Sequence, residues 1–165
     1  MIRVESKLGA GTTITLLLPA ARDLAPPVQA ERSRASEWRG RGAVLLIDDH
    51  DDAREVGAIV LERAGFAPLA ASSGEEGVAL FETHAADLVL VLLDLTMPGI
   101  DGVETYRRMR AIRPDVPVIL CSGYPEHSAL GGFSELGLAG FLQKPYSPAA
   151  MLDQIRSILD PPGES

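Results

Sequence analysis

The feature that narrows the fold most is an alternation that begins at Ala43. Short apolar runs, "AVLLIDD", "FAPLAAS", "DLVLVLLD", "VPVILCSG" and "LAGFLQ", are separated by stretches with helical apolar spacing. A strand followed by a helix, repeated five times, predicts a parallel sheet with right-handed crossovers and helices on both faces. The run "DLVLVLLD" is apolar throughout, as expected of a central strand covered on both sides. In the first helix Val56, Ile59, Val60 and Ala64 are expected to share the buried face, with Gly65 ending the helix. The second helix starts at a Ser cap followed by early glutamates, and the third stops before Pro114. Asp101 is expected to cap the third helix, and Asp51 and Asp52 to be acids of the first turn of the first. The last helix, in "SPAAMLDQIRSILD", has Ser147 as cap and Pro148 in its first turn. Between the fourth and fifth strands, "PEHSALGGFSELG" reads as a weak helix, because Gly131 and Gly132 each cost it up to about 1 kcal/mol.

Two further zones precede this block. Residues 1–20 alternate as two short strands around "KLGAG", a hairpin pattern. "GAGTT" is read as its turn rather than a phosphate loop, since no Gly-Lys-Ser/Thr ending and no helix follow. Residues 21–42 are rich in Ala, Arg, Ser, Pro and Gly without an apolar period, and read as a linker. Residues 43–160 form the main domain and 161–165 a tail.

Composition excludes several classes. With 23 acidic against 15 basic residues the net charge is −8, which disfavours nucleic-acid binding through a basic face. The single cysteine, Cys121, forms no internal disulfide and no cysteine-based zinc cage, and is expected in the core. No apolar run approaches the roughly 20 residues that span a bilayer, and the N-terminus lacks the pattern of a signal peptide. The expected location is cytoplasmic.

In sheets of this kind ligands bind beyond the carboxyl ends of the strands. The first strand ends in Asp48 and Asp49, the third in Asp94, the fourth in Ser122 and the fifth in Lys144. In the flavodoxin-like strand order 2-1-3-4-5 these side chains converge on one crevice. Clustered carboxylates repel one another, and a hard cation such as Mg²⁺ relieves the repulsion. Lys144 adds a positive charge. Together they suit a phosphoryl group, and a carboxylate held in line can attack phosphorus to form an acyl phosphate.

"LLIDDHDD", "LLDLTMPGIDG", "ILCSGY" and "FLQKPYS" resemble the receiver domain of two-component response regulators, over about residues 43–160. The resemblance implies Asp94 as phosphoacceptor. Asp49 and Asp94 would ligate Mg²⁺ directly, the Thr96 backbone carbonyl would be a third ligand, and Asp48 would act through water. It implies Ser122 as switch hydroxyl, Lys144 as phosphate-binding lysine and Phe141 as the aromatic switch residue. Gly123 would leave the site open to a phosphohistidine donor, and the Lys144–Pro145 bond would be cis. Such a domain catalyses its own phosphotransfer and dephosphorylation. Its partners would be a histidine kinase or a histidine phosphotransfer protein, with a homodimer possible through the face of the weak helix, the fifth strand and the last helix.

"IRVESKLGAGTTITLLLP" is similar to the C-terminal end of a histidine-kinase ATP-binding domain. Together the resemblances imply the C-terminal part of a hybrid histidine kinase. The nucleotide motifs and the phosphorylatable-histidine helix of such kinases are absent from these 165 residues, so the chain is not expected to bind ATP or autophosphorylate on histidine. Because the chain ends at Ser165 soon after the last helix, output is expected through a partner or upstream kinase rather than a following DNA-binding domain. Two rival readings stand beside this one. An aspartyl phosphatase of haloacid-dehalogenase type needs a second acid two residues after the nucleophile, where this chain has Thr96, and a cap insertion. A pseudo-receiver would act only as a binding module. His50, His84 and His127 read as surface residues, and Tyr146 as a surface aromatic near a docking face.

Overall fold

The computed structural model describes residues 2–7, 9, 11–17, 38–124 and 137–161. The chain divides into two compact units, Met1–Trp38 and Arg39–Ser165. In the first, β1 (Ile2–Lys7) and β2 (Gly11–Leu16) pair antiparallel, with Ile2 opposite Leu16 and Val4 opposite Ile14. Strand alternation puts these four apolar residues on one face of the hairpin, and all four are exposed. Gly9 and Gly11 have positive φ, as a tight hairpin connection requires.

The second unit is the expected doubly covered sheet. Its strands are β3 (Ala43–Ile47), β4 (Ala67–Ala71), β5 (Leu88–Asp94), β6 (Val118–Ser122) and β7 (Gly140–Gln143). All are parallel, in the order β4-β3-β5-β6-β7, which is the flavodoxin-like order 2-1-3-4-5. The described helices are α1 (Asp51–Ala64), α2 (Gly74–His84), α3 (Gly102–Ile112) and α4 (Pro148–Leu159). β3 and β6 are buried along their whole lengths. One sheet face carries Leu45, Ile47, Val91, Leu93 and Leu120 against Phe81 of α2 and Tyr106 and Met109 of α3. On the other, Leu46 packs where a side chain at Gly57 of α1 would stand.

The helix starts follow local chemistry. Ser73 accepts from Glu76 N, Asp101 from Glu104 N and Ser147 from Ala150 N, each satisfying an orphan first-turn donor. Asp51 and Asp52 occupy the first turn of α1, and Gly65 closes that helix with φ +100°. Ahead of β3, Gly40 N donates to Ala64 O at 2.8 Å, so the packed frame reaches back to Gly40.

The buried face of α1 differs from the expectation. Gly57, Leu61 and Ala64 are buried, whereas Val56 is 55% and Ile59 41% exposed. Counting apolar side chains overlooked Gly57, whose missing Cβ is what lets Leu46 approach; a Cβ there would lie 2.6 Å from Leu46 Cδ2. The stripe is rotated accordingly, and the two large aliphatics face outward. Residues 125–136 of the weak helix expected over 125–137, and most of the linker, lie outside the described residues.

Candidate functional site

The carboxyl edge of the sheet gathers the polar strand ends. Asp48 follows β3 and is 1% exposed; Asp94 ends β5 and is 4% exposed. Lys144 follows β7 and reaches across the edge, its Nζ donating to Asp48 Oδ2 at 2.6 Å and to Asp94 Oδ2 at 2.7 Å. Its Lys144–Pro145 bond is cis, as expected, and its own N–H donates to Ser122 O at 2.7 Å. Burial alone would lower the lysine's pKa, but its hydrogen bonds to both carboxylates more than offset it and the net shift is upward.

The remaining oxygens of the two buried aspartates are held by backbone. His50 N donates to Asp48 Oδ1 at 3.0 Å, and Thr96 N to Asp94 Oδ1 at 3.2 Å. Arg54, on the first turns of α1, donates to Asp48 O at 2.6 Å and pairs with Asp51. Asp49 is half-buried, and its Oδ1 is buried without a hydrogen-bond partner. His50 Nδ1 comes to 2.9 Å from that atom without hydrogen-bond alignment, and to 3.3 Å from Asp48 Oδ1.

The turn after β5 explains the "TMPGIDG" segment. Gly99 has φ +82°, and Gly102 N donates back to Leu95 O. A Cβ at Gly102 would lie 2.6 Å from Asp94 O, so the start of α3 folds directly against the strand end that carries Asp94. Among the described residues, nothing lies within 4 Å of where a Cβ on Gly123 would stand.

Asp48, Asp49, Asp94 and Lys144 are thus brought together as the sequence implied. Ser122 is fully buried at the same edge, with its hydroxyl accepting from Tyr124 N at 3.0 Å. Phe141 is half-buried, paired with Leu120 and packed on the core face shared with α2 and α3. Tyr146 departs from expectation: it is not a surface aromatic but half-buried, with its phenol beside the Cys121 thiol. Burial pushes Cys121 up to about 12 and also raises Tyr146. Sequence reasoning also missed Arg54. The only signal available was its place in the first turns of the helix that follows the acidic pair. Beside the cluster, a mostly apolar cleft of about 630 Å³ runs between α1 and α4, lined by Val56, Val60, Tyr146 and Met151 among others.

The donor set fits a hard divalent cation. Ligand atoms of Asp48, Asp49, His50 and Asp94 lie within 4.8 Å of one another, and Asp49 Oδ1 is a buried charge-bearing atom that accepts no hydrogen bond.

Comparison with known proteins decides the family. The response regulator receiver domain pattern matches residues 44–156. The chain belongs to the receiver domain family of two-component phosphorelays. This receiver is 30% identical to the sensor kinase CckA of Brucella abortus (strain 2308), over 96% of this chain and 18% of that kinase. It superposes on the receiver domain of the hybrid histidine kinase CckA with a TM-score of 0.63 and 31% identity, covering 72% of this chain and all of that one. A CheY-like receiver from Methanospirillum hungatei JF-1 gives a TM-score of 0.68 at 25% identity, covering 73% of this chain and 95% of that one. The receiver spans about half the length, or less, of the curated relatives it matches. No helix among the described residues is long and apolar enough to cross a membrane.

Proposed function

We propose that Asp94 accepts a phosphoryl group from a phosphohistidine of a histidine kinase or histidine phosphotransfer protein. One observation carries this reading: the Lys144 ammonium bridges the buried carboxylates of Asp48 and Asp94 at the carboxyl edge of the sheet. An Asp94 carboxylate oxygen forms the new O–P bond as the N–P bond breaks, and the bonding pair returns to the donor imidazole. Lys144 exchanges part of its hold on Asp94 for a phosphoryl oxygen. The Ser122 hydroxyl leaves the Tyr124 N–H and donates to another. Asp49, Asp94 and the Thr96 carbonyl would hold Mg²⁺, with Asp48 acting through water. When bound, the ion supplies charge neutralisation on the phosphoryl oxygens. As Ser122 moves, Phe141, on the same sheet face as Leu120 beside it, is free to repack. The surface of β7, α4 and the segment between β6 and β7 then becomes the partner-binding or homodimer face.

The hairpin supports a larger parent. An exposed apolar face is what a strand pair belonging to a larger core would present, and the similarity to the CckA kinase runs beyond residues 44–156 to 96% of the chain. We read residues 1–20 as the end of a kinase ATP-binding domain, 21–42 as linker, 43–160 as receiver and 161–165 as tail, in a cytoplasmic protein that does not bind nucleic acid. The test is intact-mass spectrometry after incubation with Mg²⁺ and a small acyl-phosphate donor. One added phosphoryl group is expected, lost in Asp94→Asn and on chelation. Full labelling of Asp94→Asn would refute the assignment.

A further inference from the structure

We infer that His50 supplies a nitrogen ligand to the acidic site, so that this receiver binds borderline divalent cations, such as Co²⁺, more tightly than its carboxylates alone would, while its hold on Mg²⁺ is unaffected. The inference rests on the metal-binding reading of Asp49 and Asp94. His50 Nδ1 stands 2.9 Å from Asp49 Oδ1 and 3.3 Å from Asp48 Oδ1. Adjacent ligands on one octahedral ion with bonds of about 2.05 Å are separated by about 2.9 Å, the octahedron's edge. The imidazole nitrogen and the carboxylate oxygen therefore already have the spacing of two neighbouring ligands.

Two other facts point the same way. Asp49 Oδ1 is buried and accepts no hydrogen bond, and His50 Nδ1 lies within ion-pair distance of it and of Asp48 Oδ1, so the imidazole nitrogen and both carboxylates already converge where a cation would sit. The His50 backbone is tied down by its N–H to Asp48 Oδ1, while its ring is 71% exposed and free to turn a lone pair inward. Imidazole nitrogen strengthens binding of later first-row ions and does little for Mg²⁺, which takes oxygen and retains water. His50 thus sets selectivity, whereas the carboxylates set binding as such.

The experiment titrates Mg²⁺ and Co²⁺ separately into the full chain, followed by calorimetry and by the visible absorption of Co²⁺, for the unaltered protein, His50→Gln and Asp49→Ala. The expected result is that His50→Gln weakens Co²⁺ about tenfold or more and changes its absorption, while Mg²⁺ affinity stays within about twofold. Asp49→Ala should weaken both ions. Equal loss of both ions in His50→Gln, or no loss of either, would overturn the nitrogen-ligand inference while leaving the carboxylate site standing. Unchanged binding of both ions in Asp49→Ala would overturn the metal reading itself, and the inference with it.

Discussion

Three titratable side chains at the site edge are displaced in one direction. Lys144, Cys121 and Tyr146 all titrate above their ordinary values in the folded protein, Cys121 moving from 9.0 to about 12. For the thiol and the phenol the neutral form is favoured on folding; for the lysine it is the charged form. In each case the folded state binds more protons than the unfolded one once pH passes the ordinary value, so stability falls as pH rises from there. The receiver should therefore hold its stability through neutral pH with respect to these groups and lose it progressively above about pH 9. Urea unfolding between pH 7 and 11 checks this; a stability that climbs in that range would contradict it. The same burial predicts that Cys121 resists alkylation at pH 8 in the folded protein and reacts fully in denaturant. Rapid labelling of the native protein would show the thiol to be accessible.

At the scale of elements, α1 carries the sharpest test, because pattern and packing disagree there. Leu61→Ala should cost about 2–5 kcal/mol, since Leu61 is fully buried. Val56→Ser should stay within about 0.5 kcal/mol, as expected of an exposed position. Equal losses by chemical denaturation would restore the face expected from the sequence. A bulky charge at the same place, Val56→Arg, lies at the apolar cleft beside the acidic cluster. It should slow phosphotransfer from a protein donor yet leave labelling by a small acyl phosphate unchanged; a parallel drop in both rates would mean that it perturbs the chemistry instead. Gly102→Ala should destabilise by about 1–3 kcal/mol, because its Cβ meets backbone that has no free end to swing aside.

These contrasts also mark what was legible beforehand. The strand ends Asp48, Asp94, Ser122 and Lys144 could be placed from the sequence because a strand runs straight, and its last residue must lie at the sheet edge. The caps Ser73, Asp101 and Ser147 were equally readable, since capping is decided within three residues. Gly57 was not, because an absent side chain leaves no mark in a hydrophobic pattern until its neighbour across the interface is known. Nor were the approach of His50 to Asp49 and the placement of Tyr146 beside Cys121, which depend on loop torsions and on contacts between segments far apart in the chain.

For the whole molecule, the receiver unit has a complete core of its own: β3, β5 and β6 are covered on both faces by elements within Arg39–Ser165. Removing residues 1–37 should then shift the melting temperature by less than about 4 °C, the displacement that a loss of about 1 kcal/mol would produce. Calorimetry on the shortened chain decides it, and a larger fall would mean that the first segment contributes to the receiver's stability.

The lysine bridge has an electrostatic consequence. Three carboxylates meet one ammonium at this edge, leaving a formal charge of −2. A divalent ion closes that imbalance, whereas a monovalent ion leaves half of it standing. In a buried setting residual charge is costly, because little water is present to screen it. The edge therefore discriminates by valence before size or geometry enters, so sodium or potassium at cellular concentrations competes poorly for a place that a far scarcer divalent ion fills.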